Sequence, residues 1–228
     1  TVNNGYIYAK SKGTAIISAT DGDLKKTCAI TVTDKAPIRF SYSSPNSASL
    51  NDSVALVAIT DNSRTSVKFK VDFGSYQTEV TATEKSYDSN DKCLIWKGYV
   101  KASSAGTFNV TAYSLANGSW STCADGNSEM FVNNVSNPQS VSFASRRPSD
   151  KLLKLNATYE GFLPAVTEDP LVSNAPTLGH GKVVTAGEMF YNNISREEAY
   201  AYLVKTMNGG SYTNAVNNFM KSYNIKFN

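Results

Sequence analysis

The stretch "SVKFKVDF", residues 66–73, fixes the character of the middle of the chain. Val67, Phe69, Val71 and Phe73 fall on one side, and Lys68, Lys70 and Asp72 on the other. A period of two over a whole segment suits an extended strand with one buried and one wet face. It does not suit a helix, whose apolar positions return every three or four residues. The stretches "SVALVAIT", "CLIWKGYV", "GTFNVTAYSL" and "EMFVNN" add further strand-like runs, with turn residues between them and no helical pattern interposed. Consecutive short strands without helices predict a β-sandwich over residues 36–136. Trp96 reads as its core anchor. Trp120, beside Asn117-Gly118, reads either as a buried aromatic or as a loop residue able to stack on sugar.

Residues 1–34 form a separate strand-rich piece, too short to bury a core of its own. "GTAIISATDGDLKKTCAITVTD" places two apolar runs around Asp21-Gly22, a hairpin signal. The chain opens mid-pattern with "TVNNGYIYAK" and reads as part of something longer, so the lack of an export signal carries no weight. No apolar stretch approaches the length of a membrane span. A net charge of +3, evenly spread, does not support nucleic acid as a partner. The three cysteines, with one histidine and no C-x-x-C pair, argue against a zinc site. Cys93 and Cys123 lie in the same predicted domain and are either a disulfide or two buried thiols.

After a polar linker over residues 137–148, bracketed by Pro138 and Pro148, the periodicity turns helical. "PSDKLLKLNATYEGF" offers Ser149 as N-cap, Leu152, Leu155 and Tyr159 as an inward face, and Gly161 as a stop. An irregular, β-like stretch follows from Leu163 to Tyr191. "SREEAYAYLVKTMNGG" then has Ser195 and Glu198 spaced as a capping box, with Ala199, Leu203 and Met207 on one face. "YTNAVNNFMKSYNI" predicts a third helix with Ala215, Val216, Phe219 and Tyr223 packed inward.

The chemistry-bearing residues sit between the first two of these helices. Glu160 ends a helix, where partial negative charge collects, and has Tyr159 and Phe162 beside it; both features disfavour ionisation and suit a general acid. Asp169, nine residues on, falls in a segment expected to be more exposed and suits a base acting on water. Glu168 is a rival for that role, but its side chain would point elsewhere in an extended segment. Taken alone, two acids at this spacing are more often solvated loop charge than a catalytic pair.

Glu-Gly-Phe at a helix end, Asp nine residues after the Glu, and then Thr177-Leu-Gly-His-Gly resemble the phage-type lysozymes of glycoside hydrolase family 24. The Asn-Ile-Ser-x-x-Glu-Ala opening at residues 193–199 fits the same pattern. Residues 1–34 resemble the closing strands of a bacterial group 2 Ig-like domain, and "SSAGTFNVTAY" resembles late strands of Ig-like surface modules. The resemblance implies a multidomain chain: all-β Ig-like sandwich modules followed by an α+β lysozyme-like domain over 149–228, the front part of one that would continue beyond Asn228. It implies Glu160 as general acid, Asp169 as the residue activating water, and Thr177 as its orienter. Seven residues rather than five separate Asp169 from Thr177, and Lys182 stands where the family has histidine. His180 then reads as a cleft-wall or hydrogen-bonding residue.

The implied activity is hydrolysis of the β-1,4 bond between N-acetylmuramic acid and N-acetylglucosamine, with inversion and no metal or organic cofactor. Inversion requires the two carboxyl groups to stand about 6.5–9.5 Å apart. The partners would be peptidoglycan glycan strands in the bacterial cell wall, and the protein secreted or wall-associated. The competing expectation is a wall-binding protein or adhesin whose lysozyme-like part is inactive.

Overall fold

Strand β7 (Ser53–Asp61) is buried on both faces, and the rest of the architecture follows from that. The computed structural model describes residues 2–3, 6–33, 35–133, 147–170, 174–185, 187–188, 190–191 and 193–223. Their contacts divide the chain into two compact units, Thr1–Ala36 and Pro37–Asn228. The first unit holds β1 (Val2–Asn3) paired with β2 (Tyr6–Ile7), and the antiparallel hairpin of β3 (Gly13–Asp21) and β4 (Leu24–Val32). Gly22, at φ 55°, makes the tight turn between β3 and β4. Ile16 and Leu24 on this hairpin are largely exposed.

The second unit begins with β5 (Phe40–Ser44), β6 (Ala48–Ser49), β7, β8 (Ser66–Asp72), β9 (Gln77–Thr81) and β10 (Glu84–Asp88). It continues with β11 (Cys93–Lys101), β12 (Gly106–Ala116), β13 (Ser119–Ser121) and β14 (Asn127–Asn133). One sheet has the order β10-β11-β7-β5. The other runs β6-β14-β12-β8-β9, with β13 alongside β12. The inward residues of both sheets, among them Leu56, Val67, Phe69, Trp96, Val110 and Met130, form one apolar core. As the alternation predicts, Val67, Phe69 and Val71 of β8 are fully buried. Trp96 is buried too, and its indole Nε1 donates to Thr60 Oγ1 at 2.9 Å. Gly98 lets the sheets approach: a Cβ there would lie 3.1 Å from Val80 and 3.2 Å from Phe69. Trp120 is 41% exposed, with Lys68 Nζ 5.1 Å from its ring. All three cysteines are free thiols; Cys123 Sγ donates to Ile38 O at 3.0 Å.

The C-terminal elements are α1 (Asp150–Glu160), a sheet of β15 (Leu163–Asp169), β16 (Ala175–Gly179) and β17 (Lys182–Val183), then α2 (Arg196–Asn208) and α3 (Gly210–Ser222). Here the structure corrects the expected fold class. The chain is mostly β, 50% strand against 19% helix, and a string of Ig-like modules followed by a lysozyme-like α+β domain is not what it forms. The helices belong to the same compact unit as the sandwich. Phe40, Val57, Ile59, Cys93 and Ile95, on the outer face of the first sheet, pack around Ala201 of α2. Tyr202 meets Phe40 edge-on, with ring centroids 4.3 Å apart. Each such buried side chain contributes about 1.5–3 kcal/mol, which makes this an interior rather than a loose domain contact. The result is three layers: sheet, sheet, helix. Most of the linker expected over 137–148 lies outside the described residues.

Polar anchors fasten the third layer. Ser149 caps α1, accepting from Leu152 N at 3.3 Å. Asp150 accepts from Asn46 N at 2.6 Å, and Asn46 and Asn208 exchange side-chain amide hydrogen bonds at 3.0 and 2.7 Å. The deepest anchor is Arg39, 6% exposed. Its Nη2 donates to Asp91 at 2.9 and 3.0 Å and to Glu198 Oε2 at 3.0 Å. Tyr191 covers the guanidinium, 3.9 Å from its ring centroid.

Two helix faces differ from expectation. In α1 the buried residue is Leu153, packed with Leu203 and Val204 of α2, while Leu152, Leu155 and Tyr159 are exposed. The hydrophobic partner lies on one side only, so the i, i+3, i+7 stripe is not the one covered. Ala215, Val216, Phe219 and Tyr223 of α3 are likewise exposed, because α3 packs on α2 alone among the major contacts of the described residues. The capping box at α2 and its buried Ala199 and Leu203 agree with the sequence reading.

Removing Arg39 would leave two acids in an interior without their cation. Arg39→Ala is therefore expected to lower unfolding stability by about 3–5 kcal/mol in urea titration.

Candidate active site

The three-stranded sheet sets the relative positions of the predicted site residues. Thr177, in the middle of β16, pairs with Thr167 of β15 and Val183 of β17, and Asp169 pairs with Ala175. Directly paired residues share a sheet face, and so do residues two apart on one strand. Asp169 and Thr177 therefore lie on the same face as diagonal neighbours, about 7–8 Å apart. Glu168, paired with Pro176, belongs to the opposite face, which removes it as a partner for Thr177.

Glu160 reaches this sheet from the end of α1. The hairpin between β16 and β17 turns through Gly179 and Gly181, at φ 66° and 75°, a region that favours glycine. A Cβ on Gly181 would lie 2.6 Å from Glu160 Oε2, so the missing side chain is the space the carboxylate occupies. His180, at the tip, donates from Nδ1 to Gly161 O and so ties the hairpin to the end of the helix. Its Nε2 remains as the ring's other polar atom. Leu178 faces inward with Ile194 and Ala199 of α2, which fixes the hairpin to the helical layer.

Two features differ from a ready-made acid/base pair. Glu160 is exposed, as is Tyr159 at 84%, so the apolar enclosure expected around the acid is not formed by these neighbours. Thr177 is 3% exposed, and its Oγ1 donates to Ala175 O at 3.1 Å. Its hydroxyl oxygen keeps lone pairs to accept a hydrogen bond, but its proton is engaged by the main chain.

A second cluster invites a metal reading. Ligand atoms of Asp91, Cys93 and Glu198 lie within 4.8 Å of one another. Arg39 already supplies the cation between the two carboxylates. Burial pushes the Cys93 thiol up to about 12. The cluster is built around arginine. The capping box that the Ser195–Glu198 spacing predicts is present: Glu198 N donates to Ser195 Oγ at 3.0 Å, and Ser195 N to Glu198 Oε2 at 3.0 Å. The second role of Glu198 was missed, as were Arg39 and Asp91. The only signal was a lone arginine set among apolar residues in "APIRFSY".

No protein-family model matches the chain, and no curated protein matches it.

Burial raises the Glu198 carboxyl to about 8, and its hydrogen bond with Asp91 acts the same way; Arg39 and the Ser195 amide pull it back. Oε1 lies 2.8 Å from Arg39 Nε, an ion-pair distance. The folded state thus binds a proton that the unfolded chain releases near the ordinary carboxylate pKa. The stabilisation is fully present below about 4.5 and is lost as pH rises through about 8. The urea midpoint should fall between pH 5 and pH 8.5, and Glu198→Gln should flatten that slope.

Proposed function

We propose that the chain hydrolyses the glycan of peptidoglycan between N-acetylmuramic acid and N-acetylglucosamine. The observation that carries this reading is local: Asp169 and Thr177 share one face of the three-stranded sheet, and the Glu160 carboxylate rests on the hairpin that closes that sheet. Function lies in a site more than in a fold, so the reading stands on this constellation.

In the proposed reaction Glu160 protonates the glycosidic oxygen as the bond to the anomeric carbon breaks. Asp169 takes a proton from water on the opposite face of the sugar, and that water forms the new bond, inverting the centre. Thr177 offers its hydroxyl lone pair to the same water. Because Glu160 is open to solvent, the bound glycan itself must exclude water from the carboxyl before it can serve as an acid. The site is exported to, or held in, the bacterial wall, where this substrate occurs.

A second reading is a wall-binding protein without turnover. Burial of Thr177 and the engagement of its proton by Ala175 O favour it. Turbidity clearing of purified walls separates the two. Under the hydrolase reading Glu160→Gln and Asp169→Asn each lower the rate about 10²–10⁴-fold while binding to walls persists. Equal clearing by parent and Glu160→Gln would remove Glu160 from the chemistry. No clearing by either, with retention on pelleted walls, is the outcome of the second reading.

Gly181→Ala tests the same geometry from the other side. The new methyl must displace the carboxylate, and φ 75° adds about 1–2 kcal/mol of backbone strain. Displacement of a reacting group by about 1 Å should slow clearing about 10²-fold, with the sandwich core still folded in thermal unfolding.

A further inference from the structure

The knot around Arg39 sets two acids on one pair of donors. Arg39 Nη2 donates to Asp91 Oδ2 and to Glu198 Oε2, each at 3.0 Å. The backbone N–H of Ser195 donates to the same two oxygens, at 2.9 and 3.0 Å. Two oxygens that share both donors lie side by side, and carboxyl groups so placed do not both ionise: one proton stays between them. All three side chains are buried, so solvent screens the pair little. The other groups facing Glu198 add no cation. Cys93 of β11, Tyr191 before α2 and Tyr202 on α2 are all pushed up by burial and stay neutral where a carboxyl titrates. Asp88 at the end of β10 and Asp125 between β13 and β14 add negative charge around the cluster. One guanidinium therefore faces two carboxyl groups, and the second is neutral only while it holds the proton.

The two acids come from different layers. Asp91 stands in the turn before β11 of the sandwich, whereas Ser195 and Glu198 open α2. Ile194 and Ala199, beside them in sequence, pack on Leu178 of β16. A second negative charge would push Glu198 away from Asp91, and with it the start of α2 and the β16 hairpin. The sandwich has its own core, all of it between Ile38 and Val132, so it can stay folded when the helical layer opens.

We infer that Asp91 and Glu198 form a proton-operated latch: the proton they share holds α2 and the β16 hairpin on the sandwich, and its loss lets that layer open while the two sheets stay folded. The inference goes beyond the hydrolase reading and does not depend on it. Burial and the Asp91 contact keep the Glu198 carboxyl protonated up to about 8, so opening belongs above that value.

The test is hydrogen exchange of the full chain at about pH 6.5 and about pH 9, read by mass spectrometry and corrected for the intrinsic rise of exchange with pH. One unit above the titration, peptides over α2 and β16 should lose about tenfold in protection, while peptides over β8 and β12 hold theirs. Glu198→Gln keeps a donor for Asp91 but has no proton to lose, so its α2 should stay protected at both pH values. Equal changes in helix and sandwich overturn the inference, because they report global unfolding. So does an unchanged α2 in the parent, or a Glu198→Gln variant that still opens at the higher pH. The Glu198 carboxyl carbon, followed by NMR in the parent alone, gives a reading that needs no variant. Titration near 4.5, the ordinary glutamate value, overturns the latch, and titration near 8 together with a shift at Asp91 supports it.

Discussion

A single buried guanidinium joins what the sequence would keep apart. Arg39 enters from the start of the sandwich, Asp91 from the turn before β11, and Glu198 from the first turn of α2. Ser195 N also donates to Asp91 at 2.9 Å, so the helix cap and the sandwich share one hydrogen-bonded knot. Desolvating three ionisable groups is costly, and the arrangement holds because each group meets opposite charge or a donor. The apolar packing of α2 on β7 and β11 supplies the bulk of the attraction. The knot sets where along the sheet the helix sits, since a slide of one helical turn would part Glu198 from Arg39.

That placement governs the site. Ile194, Ala199 and Leu178 fasten the β16 hairpin to α2, while His180 fastens its tip to the end of α1. Glu160 and Thr177 are therefore referenced to one frame, although each comes from a different element. The contrast between them is physical. Thr177 is held by a buried strand and its own main chain, whereas Glu160 is an exposed carboxylate lying against Gly181. A carboxyl in that situation takes its electrostatic character from whatever covers it. On the proposed reading, that is the glycan.

Much of this was legible in residues with a strong local signal. The alternation at 66–73, the turn at Gly22 and the Ser195 capping box each specify their conformation through neighbours a few residues away. The register that sets Asp169 diagonal to Thr177 has the same local origin, because paired strands convert sequence distance into neighbouring positions. What could not be read was which apolar surface finds a partner. The stripe Leu152, Leu155, Tyr159 in α1 and the stripe Val216, Phe219, Tyr223 in α3 are good amphipathic patterns, yet both lie open. The separate-domain expectation failed for the same reason. A clue was present in "SVALVAIT", whose apolar residues are continuous rather than alternating, as in a strand covered on both sides.

That continuous run bears on how freely the sandwich could be reused. A spacer module must be finished on its outside, so that it can be cut and pasted between unrelated neighbours. Phe40, Val57, Ile59 and Ile95 leave this one unfinished wherever α2 is taken away. Any shuffling of the segment before residue 149 into another context would carry an oily plate with it. Inheritance should therefore treat the two halves as one piece, with polar replacements on the sheet permitted only when the helix is lost as well.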